Sequence, residues 1–185
     1  GIPVSKESVT RYKNYFIPYF EGILGKTVQM AKDFELTKFL DVSVDGTKLK
    51  AYNSPFKVIR KHDLKILIRI LKGELAKDEI KKLKLNAQKF YYDGRKTHTE
   101  KLELLERMYN ELKISGQKSV PINDIDARWM YNKKNKAELS YNLQTCVDCA
   151  THLILATYIS QNPTDDYDLP IVTDLAMKNV GFKFE

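Results

Sequence analysis

The stretch Phe39-Leu40-Asp41-Val42-Ser43-Val44-Asp45-Gly46-Thr47-Lys48-Leu49-Lys50-Ala51-Tyr52-Asn53 decides how the rest of the chain is read. Leu40, Val42 and Val44 alternate with Asp41, Ser43 and Asp45, a two-residue period that belongs to a strand with one covered face. Thr47, Leu49 and Ala51 extend it, with Lys48 and Lys50 on the opposite side. Gly46 marks unusual backbone angles or the close approach of another group. Asp45 therefore reads as the end of an apolar strand, followed by Gly and Thr, where a carboxylate can ligate a hard divalent cation through oxygen. Asp-Gly is also a common turn signal, and one carboxylate does not make a metal site.

Upstream, Tyr12, Tyr15, Phe16, Tyr19, Phe20 and Ile23 recur at three- and four-residue spacing, which predicts an amphipathic helix with this aromatic stripe in the core. Ser5 and Ser8 are candidate N-caps, Pro18 a kink, and Gly22 or Gly25 an end or bend. Val28, Met30, Ala31 and Phe34 predict a second short helix. Downstream, Leu64, Leu67, Ile68, Leu71 and Leu75 form one helical stripe, and Ile80, Leu83, Ala87, Phe90 and Tyr91 another. Asp93-Gly94 is a turn. Thr97 with Glu100 is a capping box that opens a helix carrying Leu105, Met108 and Leu112, closed by Gly116.

From Ala127 to Tyr131 a strand is expected, turning at Lys133 to Lys136. Leu139 to Val147 and His152 to Ser160 then read as a hairpin. Asp165, Asp166 and Asp168 fall in the expected first turn of a helix over Leu169 to Val180; capping explains them better than metal ligation. Gly181 ends that helix, and Phe182-Lys183-Phe184 reads as the opening of a further strand. The order is helices, strand, helical insertion, hairpin, helix, which makes the fold class α/β.

Composition bounds the remaining choices. The chain has 185 residues, is 43% apolar and carries a formal charge of +7. That composition belongs to a folded globular domain, not to a disordered tail or a collagen-like repeat. No apolar run approaches the ~20 residues that span a bilayer, and no signal-peptide pattern opens the sequence, so a cytoplasmic location without membrane partners is expected. Two cysteines exclude a disulfide scaffold. Cys146-x-x-Cys149 with His152 is half of a zinc site at most, and residues three apart on a strand face opposite ways. The chain begins at Gly1 and stops just after Phe182-Lys183-Phe184, so a piece of a longer protein is expected.

Charge is unevenly spread. Residues 48–101 hold 16 Lys and Arg against 6 Asp and Glu, whereas residues 137–185 hold 2 against 7. Lys48, Lys50, Lys57, Arg60 and Lys61 trail directly from Asp45 and are candidates for DNA phosphate contacts. A solvated lysine-rich face explains any one of them equally well.

Two blocks carry a family resemblance. Val44-Asp45-Gly46-Thr47-Lys48-Leu49-Lys50-Ala51-Tyr52-Asn53-Ser54 resembles the "DGTK-x-KA-x-x-S" block of bacterial insertion-sequence transposases with a DDE catalytic core. Asp124-Ile125-Asp126-Ala127-Arg128-Trp129-Met130, followed by Tyr141-Asn142-Leu143-Gln144-Thr145 and Val147-Asp148, is similar to that family's "D-x-D-A-R-x-M … Y-N-x-Q-x-x-V-D" signature. The resemblance covers most of the chain from about residue 8.

It implies an RNase H-like fold: residues 1–37 as the end of an N-terminal helical domain, and residues 38–185 as a partial catalytic domain with a helical insertion at about 55–120. Asp45 matches the first catalytic Asp and metal ligand. The family's second Asp lies on a fourth strand and its Glu on a later helix, both expected beyond Glu185. Asp126, Arg128, Tyr141, Asn142, Gln144 and Asp148 are motif residues, and Asp148, between two strands, is not assigned as the second carboxylate. The implied cofactor is Mg (or Mn), the implied reaction cleavage of transposon ends and strand transfer. The implied partners are transposon-end and target DNA, with self-association in a transposition complex. With Asp45 alone, this polypeptide is expected to bind metal poorly and to leave DNA uncut. A catalytically dead DNA-binding or regulatory fragment is the alternative, and a structural self-association domain a further one.

Overall fold

The computed structural model describes residues 5–52, 54 and 56–184. It is an α/β chain in the order α1 (Lys6–Phe16), α2 (Phe20–Asp33), β1 (Val42–Lys50), β2 (Val58–Arg60), α3 (Lys61–Leu71), α4 (Leu85–Tyr92), α5 (His98–Ser115), β3 (Ser119–Pro121), β4 (Arg128–Tyr131), β5 (Ala137–Asp148), β6 (Ile154–Ser160) and α6 (Leu169–Val180). Its contacts divide it into two compact units. The first comprises residues 1–47, 142–160 and 164–185, the second residues 48–141 and 161–163.

In the first unit, β1 pairs with one edge of β5 and β6 with the other. Bonds from Cys149 N to Asp41 O and from Ala51 N to Leu139 O join β1 and β5 in opposite sequence order, so the two run antiparallel. β6 is antiparallel too, from Asn142 opposite Ser160 to Val147 opposite Ile154, with a bulge at Cys146/Val147. Alternate β5 residues Asn142, Gln144, Cys146 and Asp148 are buried, and α2 and α6 pack on the neighbouring β6. Val28, Phe39, Leu155, Val172, Ala176 and Val180 form its apolar core, with Val42 and Val44 packed against it. Gly181 closes α6 at φ 84°, a left-handed position that suits glycine.

The aromatic stripe is the main departure from the sequence reading. Ser5 caps α1 as expected, accepting from Ser8 N, and Pro18 sits in a 3-10 turn over Ile17–Tyr19. Gly22 and Gly25 lie inside one continuous α2, which also takes in the helix expected around Val28. But Tyr12, Tyr15, Phe16, Tyr19, Phe20 and Ile23 are all exposed, and α1 buries no residue. Helical spacing shows which residues share a face; it does not show that another element covers it. Phe182-Lys183-Phe184 is not a strand; the two rings meet edge to face at 6.1 Å.

The second unit is built on α3 and α5. Ile59, Leu64, Leu67, Leu71, Leu105, Met108, Leu112 and Val120 are buried together with Leu83, Ala87 and Phe90. Each such fully buried side chain contributes roughly 1.5–3 kcal/mol. The capping box forms on both sides, with Glu100 N donating to Thr97 Oγ1 and Thr97 N to the Glu100 carboxylate. Gly116 ends α5 at φ 68°. The stripe at Ile80 to Tyr91 is a 3-10 turn over Lys77–Lys82 followed by α4, not one helix. β2 and β3 pair antiparallel, Val58 opposite Pro121 and Arg60 opposite Ser119, and tie the two ends of the helical segment together. β4 folds back on β5, Arg128 opposite Ser140 and Tyr131 opposite Ala137, with the turn at Lys133–Lys136 as expected.

Candidate functional site

Asp45 projects from the exposed side of β1, and its Oδ1 accepts a 2.9 Å bond from Gly46 N. The neighbouring residue faces the other way. A Cβ at Gly46 would lie 2.5 Å from Asp165 Oδ1 and 2.5 Å from Gln144 Nε2. Gly46 is thus a close-approach glycine, which the sequence allowed, and its role is to admit a polar cluster against β1.

That cluster is built from signature residues. Asp165 Oδ1 accepts from Asn142 Nδ2 at 2.7 Å and from Gln144 Nε2 at 2.6 Å. Asn142 and Gln144 are buried on adjacent inward positions of β5. Asn142 Oδ1 is the only buried side-chain oxygen or nitrogen among the described residues without a hydrogen-bond partner. Asp165 and Asp168 precede α6 instead of lying in its first turn, and Asp168 makes no side-chain capping bond. Asp165 serves Asn142 and Gln144, a role that helix-start statistics do not reveal. The strand pleat separates it from Asp45, because adjacent residues of β1 point to opposite faces.

Asp148 ends β5 and is buried. It accepts from Thr37 Oγ1 at 3.0 Å, Thr151 N at 2.9 Å and Thr151 Oγ1 at 2.6 Å. Burial raises its pKa, but the bonds from Thr151, Thr37 and the Ala150 backbone outweigh that and hold it below the usual carboxylate range. It is a structural carboxylate that ties the β5–β6 turn to the segment before β1. Cys146 is buried and Cys149 exposed, both as free thiols. Burial first, then the nearby Cys149, pushes the Cys146 thiol up to about 11.

In the second unit Arg128 and Tyr141 form internal struts, while Asp126 lies at the surface. Arg128 is buried; its Nη1 donates to Ile125 O at 2.7 Å, and its Nη2 to Gln161 Oε1 at 2.8 Å and to the Glu111 carboxylate of α5. Tyr141 Oη donates to Asp124 Oδ1 at 2.5 Å. Burial, and then the hydrogen bond and charge of Asp124, raise the Tyr141 pKa. Asp126 meets Arg107 at 3.4 Å on the surface.

The candidate DNA-contact residues sort by exposure. Lys57 is exposed and Lys61 half-buried. Lys50 is exposed beside Glu138 at 3.5 Å, and Arg60 lies 3.4 Å from the buried Asp63. Lys48 is half-buried on β1. Asn53 of the first signature block lies outside the described residues. The second unit carries eleven more Lys and Arg than Asp and Glu, and the first unit four fewer.

A divalent cation needs more donors than Asp45 supplies. Among the described residues no group of three or more His, Cys, Asp or Glu side chains is placed to hold a metal ion. Cys146, Cys149 and His152 form no such group. Nor, among those residues, is any helix long and apolar enough to cross a membrane. Comparison with family models, curated proteins and solved structures gives no match to any of them.

Proposed function

We propose that this chain is part of a DNA transposase of the DDE type, with β1, β5, β6 and α6 as the opening of an RNase H-like sheet and Asp45 as its first catalytic carboxylate. One observation carries the reading. Asp45 stands on a strand flanked by an antiparallel hairpin, with a helix after the hairpin. That is the arrangement the two signature blocks imply, and the Gln144 of one block reaches the Gly46 of the other. The excess of basic residues in the second unit supports a polyanionic partner.

Magnesium or manganese is the cofactor of this reading. Asp45 would be one ligand, and the described residues do not supply the others. What this chain contributes is the placement of that carboxylate: the Gly46 amide orients Oδ1, and the cluster beneath Gly46 fixes the strand.

The test is transposition of the element that encodes the chain. Asp45→Asn removes a charge from an exposed side chain, so the protein is expected to fold and bind DNA as before while transposition is abolished. Transposition at the wild-type frequency would overturn the assignment of Asp45. The alternative, a DNA-binding or regulatory protein without catalysis, is favoured by the lone carboxylate. It predicts that the chain binds duplex DNA and lowers transposition in trans with Asp45 replaced.

A further inference from the structure

The segment joining β1 to β2 holds the two most exposed large apolar side chains among the described residues, Tyr52 at 102% and Phe56 at 82% of full exposure. We propose that Tyr52 and Phe56 form a single-strand nucleic-acid contact, on which unpaired bases stack while Lys50, Lys57 and Arg60 meet the phosphates. It rests on the reading of the chain as a DNA-handling protein and goes beyond it by assigning a place and a strandedness.

Described residues on either side of the rings make backbone hydrogen bonds. Ala51 N donates to Leu139 O at 2.9 Å, Lys57 N to Ser54 O at 3.0 Å and Ile122 N to Lys57 O at 3.0 Å. Phe56 N donates to Ser54 Oγ at 3.3 Å. Asn86 Nδ2 donates to Phe56 O and, at 3.1 Å, to Val58 O. Beside Tyr52 lies a cleft of about 530 Å³ lined by Lys50, Ala51, Tyr52, Ser54, Lys57 and Asn123. A volume of that order accepts a small ligand, and its polar lining offers ammonium, hydroxyl and amide groups.

The chemistry selects the partner. A duplex keeps its bases stacked on one another and shows proteins its phosphates and groove edges, so a duplex partner would use the lysines and leave the rings idle. Unpaired bases offer free faces to aromatic rings, and their phosphates suit flanking cations.

The experiment measures binding of the whole chain to a single strand of about a dozen nucleotides containing 2-aminopurine, to the matching duplex, and to anionic phospholipid vesicles. Tyr52→Ala and Phe56→Ala are expected to weaken single-strand binding at least about five-fold each and to relieve 2-aminopurine quenching, with duplex binding unchanged. Tyr52→Phe is expected to restore binding, because stacking needs the ring and not the hydroxyl. Lys57→Ala is expected to lower the salt dependence of binding, which Tyr52→Ala should leave alone. Unaltered single-strand affinity in both alanine variants overturns the proposal, as does an equal loss on duplex, or vesicle binding that depends on the same two rings. If duplex binding persists in those cases, the DNA-handling reading stands without this contact. Absence of binding to either DNA at low salt overturns both.

Discussion

Gly46 shows how one residue without a side chain can decide how closely other groups approach a strand. Its Cα faces Asp165 and Gln144, whose side chains are bonded to each other, so neither can move aside without breaking a part-buried hydrogen bond. Gly46→Ala is expected to cost about 1–3 kcal/mol, read by urea unfolding. Arg128 is held by two acceptors beyond its own loop and is expected to tolerate replacement poorly. Arg128→Met strands the Glu111 charge and should cost about 3 kcal/mol. Arg128→Lys should recover only part, since an ammonium cannot reach Ile125 O, Gln161 and Glu111 with the same fork.

Asp148 predicts a pH dependence. Its folded pKa is depressed, so its contribution is fully present above the ordinary carboxylate range near ~4 and is lost as the pH falls through the folded value. Asp148→Asn should therefore flatten the acid limb of a stability–pH profile. At the thiols, Ellman's reagent is expected to titrate exposed Cys149 quickly and buried Cys146 only on unfolding, since burial raises the Cys146 pKa.

At the scale of elements, capping chemistry and apolar spacing placed α5 to the residue, from Thr97 to Gly116. Thr97→Ala is expected to lower stability by about 1 kcal/mol. The three-residue strands β2 and β3 were not legible, because three residues show no period and their pairing spans some sixty positions of chain. The α1 stripe had the right spacing and the wrong consequence. An 11-residue helix that buries nothing is marginal in water. Amide exchange is expected to be fast along α1 and slow around Val28 and Ala31, which are buried in α2.

At the scale of the molecule, the uneven charge of the sequence falls on two structural units. The basic excess gathers in the unit built on α3 and α5, and the acidic excess in the one that carries Asp45. If phosphates are the partner, Lys57→Ala and Lys61→Ala should each reduce the slope of log affinity against log salt by about one, with little effect on sequence preference.

The sequence by itself determined the α/β class, the strand bearing Asp45, the hairpin and the helix after it. Those features rest on local periodicity, turn residues and caps, which act within a few residues. Only the tertiary structure decided that Gln144 and Asp165 close on Gly46, and that Arg128 and Asp148 are buried and hydrogen-bonded to distant segments. It also decided that the N-terminal aromatics stand in solvent. Burial and long-range hydrogen bonding depend on what lies opposite, and the spacing of residues along the chain carries no record of that.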